Sequence, residues 1–562
     1  MKSSSLWLLL QRMRTPFLVI TITYTISIVG LLIIDGVDND GNVYKLTILD
    51  AFYFISYTAT TIGFGETPFT FTHPQRIWVA MSIFFTVPGW FYSLGSLIAL
   101  LQNKLFIQEF QKAKFIRNVS TLKERFIIIL GYNSITSEII KQANEYGLRA
   151  VVIEQEDSKR DALFLENFTP FVYCLNANVH DSEALEMAGI KSSFCKAIVS
   201  LFENDALNLR IALTAKVLNP NITMAIKSTT KNHTENLLDL GVQIIENPFD
   251  IIAKQINMAI NTPNTLRLAR WIYGLAHLSD SLLNLPRGKY IVCGYGRMGK
   301  SIYEVFKEND FDIAFAEIDV EKTKQLPSFE RTMVHIGDGD DKEMLKNLGI
   351  ESCVGIIAGT DDDTTNLSIL ATARKLNPNI ITIARENELE DFSIFHNSNI
   401  DTVFIPDKVL ISKTVHAIIN PALDLFIKHI NALSEERIVL LTKELLSINL
   451  NPLLFTCKVD KATMPMILQH SEPIVLKLLK TSLKNHLLDN NLIALMLVRQ
   501  KKVILLPSWE TVLEKNDLLL FAGDANAQNH LEYITMNPNE FHYALYGKEK
   551  GFLHTLFTKS AS

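Results

Sequence analysis

Residues 58–66 read Thr58-Ala-Thr-Thr-Ile-Gly-Phe-Gly-Glu66, and the first hundred residues must be understood from this string. Upstream of it runs LTILDAFYFISYTAT, apolar and aromatic but too short to cross a bilayer. Such a segment suits a re-entrant helix that dips into a membrane and returns, tolerated only where protein buries it or water bathes it. The backbone that follows is then unwound at membrane depth. Gly63 and Gly65 adopt conformations other residues resist, so the carbonyls of consecutive residues can turn toward one axis.

The flanks support a membrane setting. Thr15 to Ile34 is a run of 20 residues without a charge, and Ile77 to Leu101 is another of 25. Each is long enough to cross a hydrocarbon core of about 30 Å as a helix. The first run is too long for a signal peptide and no small-residue cleavage site follows it. Arg12 and Arg14 precede the first span, and Lys104, Lys112, Lys114 and Arg117 follow the second. Between the spans, Asp35, Asp38, Asp40, Asp50 and Glu66 outnumber Lys45 and Arg76. The positive-inside rule therefore places both ends of the hairpin in the cytoplasm. The expected location is the cell's inner (plasma) membrane, in contact with lipid, with both termini cytoplasmic.

Thr60-Thr61-Ile62-Gly63-Phe64-Gly65 resembles the potassium-channel selectivity filter. The resemblance implies that K⁺ is held by the Thr61 hydroxyl and carbonyl and by the carbonyls of Ile62, Gly63 and Phe64, in place of its hydration shell. Phe64 stands where tyrosine is commonest and Glu66 where aspartate is, so the hydroxyl that often braces such a filter from behind is missing. A filter of this kind needs four copies around an axis, which implies a homotetramer. Only one span precedes the pore unit and it carries no arginines at three-residue spacing, so a voltage sensor is absent. In the second span, Pro88-Gly89 and then Gly95 are expected to kink and hinge the helix, because proline removes a backbone bond and glycine lowers bending resistance. The competing reading of these residues is packing between helices.

The whole chain is larger than a pore. Its 562 residues suggest three or four domains. With 48% hydrophobic and 20% charged residues it is neither a disordered polyelectrolyte nor a fibrous repeat. A net charge of −6 argues against a nucleic-acid binder held by phosphate contacts. Five cysteines, Cys174, Cys195, Cys293, Cys353 and Cys457, form no CxxC and no disulfide framework, as expected in a reducing compartment.

After a charged, helical connector comes an internal duplication. RFIIILGYNSIT (125–136) parallels KYIVCGYGRMG (289–299), AIVSLFENDALN matches GIIAGTDDDTTN, and LNPNITMAIK matches LNPNIITIAR. In each copy short β-branched runs alternate with amphipathic stretches, the pattern of a parallel sheet with helices on both faces. In the second copy a strand runs into Gly294-Tyr295-Gly296-Arg297-Met298-Gly299 and then a helix, which is the context a dinucleotide fingerprint requires. Gly294 permits the turn, Gly296 lets a pyrophosphate approach the backbone, and Gly299 lets helix and strand pack. Glu317, at the end of the second strand, suits a ribose hydroxyl pair and repels a 2′-phosphate, favouring NAD-like or ADP-like ligands over NADP. In the first copy the fingerprint has decayed to Gly131-Tyr-Asn133-Ser-Ile-Thr136.

Joined to the pore, these lobes resemble RCK domains, the regulators of K⁺ conductance that form cytoplasmic gating rings. The expected fold is thus a helical membrane pore (span, re-entrant pore helix and filter, span) with two α/β Rossmann-like RCK lobes and a small α+β carboxyl-terminal RCK lobe. Its expected divisions are a cytoplasmic segment (1–14), the pore domain (15–104), a linker (105–124) and the first RCK lobe (125–248). Connecting helices (249–286), the second RCK lobe (287–406), crossover helices (407–433), the carboxyl-terminal lobe (434–536) and a tail (537–562) complete it. The resemblance implies eight RCK lobes in one tetrameric ring. It also implies that Arg297 and Met298 meet phosphates, Glu317 takes the ribose, and Asp338 and Thr360 border the adenosine. The clusters around Asp338 to Asp341 and Asp361 to Asp363 invite Ca²⁺, because hard cations want clustered oxygens; helix capping is the competing account. These features imply a ligand-gated, K⁺-selective channel and not an enzyme. A membrane-anchored NAD-dependent oxidoreductase would need an acid–base pair that no motif supplies, and would leave TTIGFG unexplained. A weakly selective cation channel is the other alternative.

Overall fold

The computed structural model describes residue 11, residues 13–324, 326–387 and 392–549. Most of the expected amino-terminal segment 1–14, and residues 550–562 of the expected tail, lie outside the described residues. Two compact units result, one ending at Thr121 and the other beginning at Leu122.

The first unit contains α1 (Arg14–Ile33), α2 (Ile48–Ala59), α3 (His73–Leu101) and α4 (Lys104–Ser120). α1 and α3 are long and apolar enough to cross a membrane. The 12-residue α2 is not, and it starts at a reciprocal cap in which Thr47 and Asp50 bond each other's backbone. The buried residues of α3 are Gln75, Ser82, Thr86, Gly89 and Ser93, spaced so that they share one face. Small residues on such a face let two membrane helices approach closely. Ser93 accordingly donates 2.8 Å to the Pro16 carbonyl and Trp78 Nε1 donates 3.0 Å to the Ser27 carbonyl, both in α1.

This packing changes the reading of the expected hinge. α3 continues through Pro88 without interruption. A Cβ added at Gly89 would lie 3.3 Å from Thr23 Oγ1, whereas one at Gly95 would meet open space. Gly89 is therefore accounted for by helix packing. A glycine that the sequence pattern did not single out, Gly30, has the Trp78 indole against it, leaving no room for a side chain.

The second unit holds two lobes of the same design. In the first, strands β1 (Phe126–Leu130), β2 (Arg149–Glu154), β3 (Tyr173–Asn176), β4 (Cys195–Ser200), β5 (Thr223–Lys227) and β6 (Ile244–Glu246) form a parallel sheet in the order 3-2-1-4-5-6. In the second, β7 (Lys289–Cys293), β8 (Asp312–Glu317), β9 (Val334–Ile336), β10 (Gly355–Ala358), β11 (Ile381–Arg385) and β12 (Thr402–Phe404) repeat that order. This is the doubly wound dinucleotide-binding topology, in which the ligand crevice lies at the carboxyl ends of the central strands where the order reverses. The central strands are buried along their whole length because helices cover both faces.

The helix after each lobe packs on the other lobe. α5 (Ser134–Glu145) opens the first lobe, α6 (Pro248–Asn261) leaves it, α7 (Arg297–Glu308) opens the second and α8 (Pro406–Ile419) leaves that one. Phe249, Ile252, Ala253, Ile256 and Ala259 of α6 join the core built on Tyr290, Val292 and Phe315. Leu410, Ile411 and Val415 of α8 join the core built on Ile127, Ile129 and Val152. The sequence placed these segments as connecting and crossover helices but did not disclose the exchange.

A third core seats the carboxyl-terminal lobe on both helix pairs. Leu268, Trp271 and Ile272 of the helix Pro263–Ile272, which follows α6, and Ala422, Leu423 and Phe426 of the helix Pro421–Ile430, which follows α8, pack with Leu495, Met496 and Leu520. The first lobe, lacking such a module of its own, thus shares the one after the second. That module is an antiparallel four-stranded sheet, β13 (Leu453–Lys458), β14 (Leu492–Arg499), β15 (Lys502–Leu505) and β16 (Leu518–Gly523), in the order 13-16-14-15. Its boundary differs from the expected one. Residues Pro538–Tyr546 form a helix whose Phe541 and Ala544 are buried in the lobe's core, so the lobe continues beyond 536.

The exchange has a measurable consequence. Leu410 is fully buried, and replacing it by alanine removes about 2–5 kcal/mol from a core to which its own lobe does not belong. Leu410→Ala should speed amide hydrogen exchange in β1 and α5 while leaving β7 protected. Loosening confined to the second lobe would contradict the exchanged packing.

Candidate functional site

Two places bring the singled-out residues together. In the first unit, α2 ends at Thr60, whose hydroxyl donates 2.7 Å to the Ser56 carbonyl. The backbone then leaves the helix. The Ile62 and Gly63 amides both donate to the Tyr57 carbonyl, at 3.0 and 3.2 Å. Thr61, Gly63 and Gly65 have φ of 63°, 66° and 73°, while Ile62 and Phe64 between them are not left-handed. A strand of uniform handedness alternates its carbonyls between two sides; alternating handedness turns them toward one side. Glycine takes the left-handed conformation freely, but Thr61 is there against its own preference, which costs about 1 kcal/mol.

What holds this backbone is the pore helix. Tyr53 donates its hydroxyl 2.9 Å to Glu66 Oε2, and Tyr57 donates 2.9 Å to the Glu66 carbonyl. The Phe64 ring meets the Tyr57 ring edge-on at 6.2 Å. The hydroxyl that Phe64 lacks is thus replaced by two from α2. Reading the filter string alone missed this, although Tyr53 and Tyr57, one helical turn apart, carried the signal. Ile62 and Phe64 are 60% and 64% exposed within one chain.

The second place is a cavity of about 560 Å³ at the carboxyl ends of the second lobe's central strands, a volume suited to a nucleotide-sized ligand. Gly294, Gly296, Arg297, Met298, Glu317, Asp338 and Thr360 line it. Tyr295 and Gly299 lie beside it and serve the scaffold. A Cβ at Gly299 would collide with the Gly294 carbonyl, and Gly294 itself has φ of 102°. Tyr295 is buried, with its hydroxyl donating 2.6 Å to Glu330. Gly296 precedes α7 with no side-chain cap, and a Cβ there would meet nothing within 4 Å. The first-turn amides of α7 therefore face open space, the arrangement that accepts phosphate.

Glu317 is 4% exposed and already engaged. It accepts the Tyr295 amide at 2.7 Å and the Asp319 amide at 2.9 Å. In the first lobe Glu154 accepts the Tyr132 and Glu156 amides, each at 2.7 Å. The carboxylate therefore braces the loop after the first strand in both copies, in addition to any ribose contact. Thr360 hydrogen-bonds Asn366 through both its amide and its hydroxyl, at 3.0 and 2.7 Å. The acidic runs are largely spent locally. Asp341 and Asp362 cap helices, Asp340 accepts the Ser368 hydroxyl at 2.6 Å, and Asp361 pairs with Arg385 at 2.9 Å. Among the described residues no group of three or more His, Cys, Asp or Glu could hold a metal ion, so Ca²⁺ has no cluster to stand on there.

The first lobe's equivalent crevice is smaller, about 320 Å³, and is lined by Gly131, Asn133, Thr136, Glu154 and Phe202. A Cβ at Gly131 would lie 2.7 Å from the Phe202 ring, and Phe202 occupies the position of Thr360 in the duplication. Asn133 accepts the Thr136 amide at 2.9 Å and donates its own amide to Thr136 Oγ1 at 2.8 Å, capping α5. The bare helix start that distinguishes the second crevice is therefore lost in the first.

Sequence reasoning missed the residues that reach the second crevice from elsewhere. Phe249 of α6 lines it. The Arg297 guanidinium lies 4.6 Å and the Arg385 guanidinium 5.6 Å from the centre of that ring. Lys322 also lines the cavity, 3.7 Å from Glu317. From the first lobe, Glu203 approaches Arg297 at 3.5 Å while also pairing with Lys227. Partial burial works against the ionised form of Glu203, but Lys227 and Arg297 outweigh it and hold its carboxyl below the usual range.

Known proteins match along the same divisions. Residues 17–103 match the ion channel family and residues 127–248 and 290–406 each match the TrkA-N domain. Probable potassium channel protein 2 of Methanocaldococcus jannaschii is 37% identical over 105 residues, 18% of this chain and 30% of the relative. Potassium channel protein 1 of the same organism is 29% identical over 181 residues, 31% of this chain and 54% of the relative. The chain thus spans a third to about half of these relatives' lengths. The solved GsuK channel covers 97% of this chain and 100% of its own at 15% identity, with a TM-score of 0.50, a likeness of fold. With its two membrane-length helices, its filter-like loop and its duplicated parallel sheets, the chain carries an ion channel domain followed by two TrkA-N (RCK) domains.

Proposed function

We propose that the chain forms a potassium-selective channel, assembled as a homotetramer and gated by an adenine nucleotide of the NAD or ADP kind bound in the second lobe. The observation that carries the conducting part is the alternation of left-handed residues at Thr61, Gly63 and Gly65. In four copies around an axis, the carbonyls of Thr61, Ile62, Gly63 and Phe64 and the Thr61 hydroxyl would replace the water around K⁺. The bracing by Tyr53 and Tyr57 supports this, because a carbonyl cage selects ions only while it keeps its shape.

The gating part rests on the open second crevice. The bare start of α7 and the Arg297 side chain suit a pyrophosphate, and the crevice beside Glu317 suits a ribose. The pore unit carries no voltage sensor, so the bias comes from ligand. A nucleotide shifts the pore only by its differential affinity for the two conformations of the cytoplasmic lobes, passed on through the α4 connector. Because Phe202, Asn133 and Thr136 narrow the first crevice to about 320 Å³ and cap its helix start, against about 560 Å³ in the second, the second lobe is the site assigned to the nucleotide. Against the alternative of an NAD-dependent oxidoreductase, the named relatives that the chain matches are potassium channel proteins.

Three experiments test this reading. Gly63→Ala forces a side chain into a left-handed position and should abolish K⁺ conduction or K⁺/Na⁺ discrimination in bilayer recordings; unchanged reversal potentials would refute the filter assignment. Tyr57→Phe removes one bond worth about 1 kcal/mol and should shorten open times about fivefold at unchanged selectivity, whereas wild-type open times would mean the brace is idle. Gly296→Asp puts a carboxylate where phosphate would lie and should weaken ADP and NAD binding at least about thirtyfold while preserving K⁺ selectivity. Full nucleotide sensitivity in that variant would rule out the second crevice.

A further inference from the structure

The duplication makes one asymmetry conspicuous. Glu203 of the first lobe and Asp361 of the second are equivalent, as are Lys227 and Arg385. Each acid pairs with the base of its own lobe. Glu203 alone also reaches across the lobe boundary, to Arg297 at 3.5 Å. The residue equivalent to Arg297 in the first lobe is Ser134, so the reciprocal contact from Asp361 has no cation to meet.

The cross-lobe pair is built to be exchanged. Lys227 is only 3% exposed and anchors Glu203 from beneath, while Arg297 is half exposed and rests against the Phe249 ring at the mouth of the cavity. An ion pair between exposed groups is weak, and a nucleotide phosphate carries more charge and more acceptor oxygens than a carboxylate. We propose that Glu203 is a built-in anion of the second lobe's phosphate subsite, holding Arg297 until a nucleotide phosphate displaces it. The proposal rests on the nucleotide reading above and adds a residue to it. Glu203 competes with the ligand for one cation, and through it the first lobe registers occupancy of the second. A ligand lacking phosphate does not enter the competition. Glu203 thereby sets specificity for phosphorylated over unphosphorylated adenine ligands.

The test is calorimetric titration of the full-length protein in lipid nanodiscs with ADP and with adenosine. Glu203→Gln keeps an oxygen for the buried Lys227 ammonium but removes the charge, and Glu203→Asp keeps the charge but withdraws it from Arg297. Both variants should bind ADP about three- to tenfold more tightly than wild type, through loss of the pair and, in the first, of repulsion toward phosphate. Adenosine affinity should not change. In an Arg297→Gln background, Glu203→Gln should give no more than about half of that gain on a logarithmic scale, because the cation it withheld is gone. Unchanged or weaker ADP binding in both variants, or an equal gain for adenosine, would overturn the proposal while leaving the nucleotide site intact. Absence of ADP and NAD binding in wild type would remove the nucleotide reading itself, and the proposal with it.

Discussion

A potassium ion leaves water only for a cage of oxygens that repeats the shell it gives up. That requirement makes unusual demands on a polypeptide. Successive carbonyls must face one way, and the backbone that presents them must resist relaxing into an ordinary strand. On the function proposed for this chain the first demand falls on Thr61, Gly63 and Gly65. The second falls on two tyrosines of the pore helix that anchor Glu66 beyond the last of them. The helix α2, its cap at Thr47, and the close α1–α3 packing then follow as support for a loop that would not hold its shape alone.

On the same proposal the lobes solve a different problem, converting a modest binding preference into work on a pore. A tenfold preference of one ligand for one conformation is worth about 1.4 kcal/mol. Four such sites acting on one assembly supply about 5.5 kcal/mol, enough to move a 1:99 equilibrium to 99:1. The exchanged helices suit this use. α6 belongs in sequence to the first lobe but in packing to the second, and it brings Phe249 to the crevice wall. A change at the crevice therefore reaches the first lobe through a packed helix as well as through Glu203. Duplication followed by divergence has left one crevice of about 560 Å³ and narrowed the other to about 320 Å³.

Much of this was legible in the sequence because its signals are local. Two long uncharged runs, a short apolar segment before TTIGFG, and a repeat with a glycine fingerprint each depend on neighbours within about 30 residues. The parallel sheets and the crevice at Gly294 to Gly299 follow from them. What escaped depends on distant chain segments. Phe249 comes to Arg297 because the lobes exchange helices, Arg385 because β11 ends beside the crevice, and Glu203 from the other lobe, and no spacing encodes these meetings. Gly89 reads as a hinge until Val19 and Thr23 are seen against it. The helix Pro538–Tyr546 reads as a tail because its burial rests on Phe541 and Ala544 alone. Tyr53 and Tyr57 were in view throughout, but as apolar bulk; their hydroxyls matter only once Glu66 folds back onto them.

The account stands or falls on where the permeant ion sits. Anomalous diffraction from crystals of the full-length protein grown in thallium or rubidium salt, which substitute for potassium, locates it directly. The account predicts a column of peaks on a fourfold axis, level with the oxygens of Thr61 through Phe64. Peaks elsewhere, or a loop at 58–66 lying away from any symmetry axis, would contradict it.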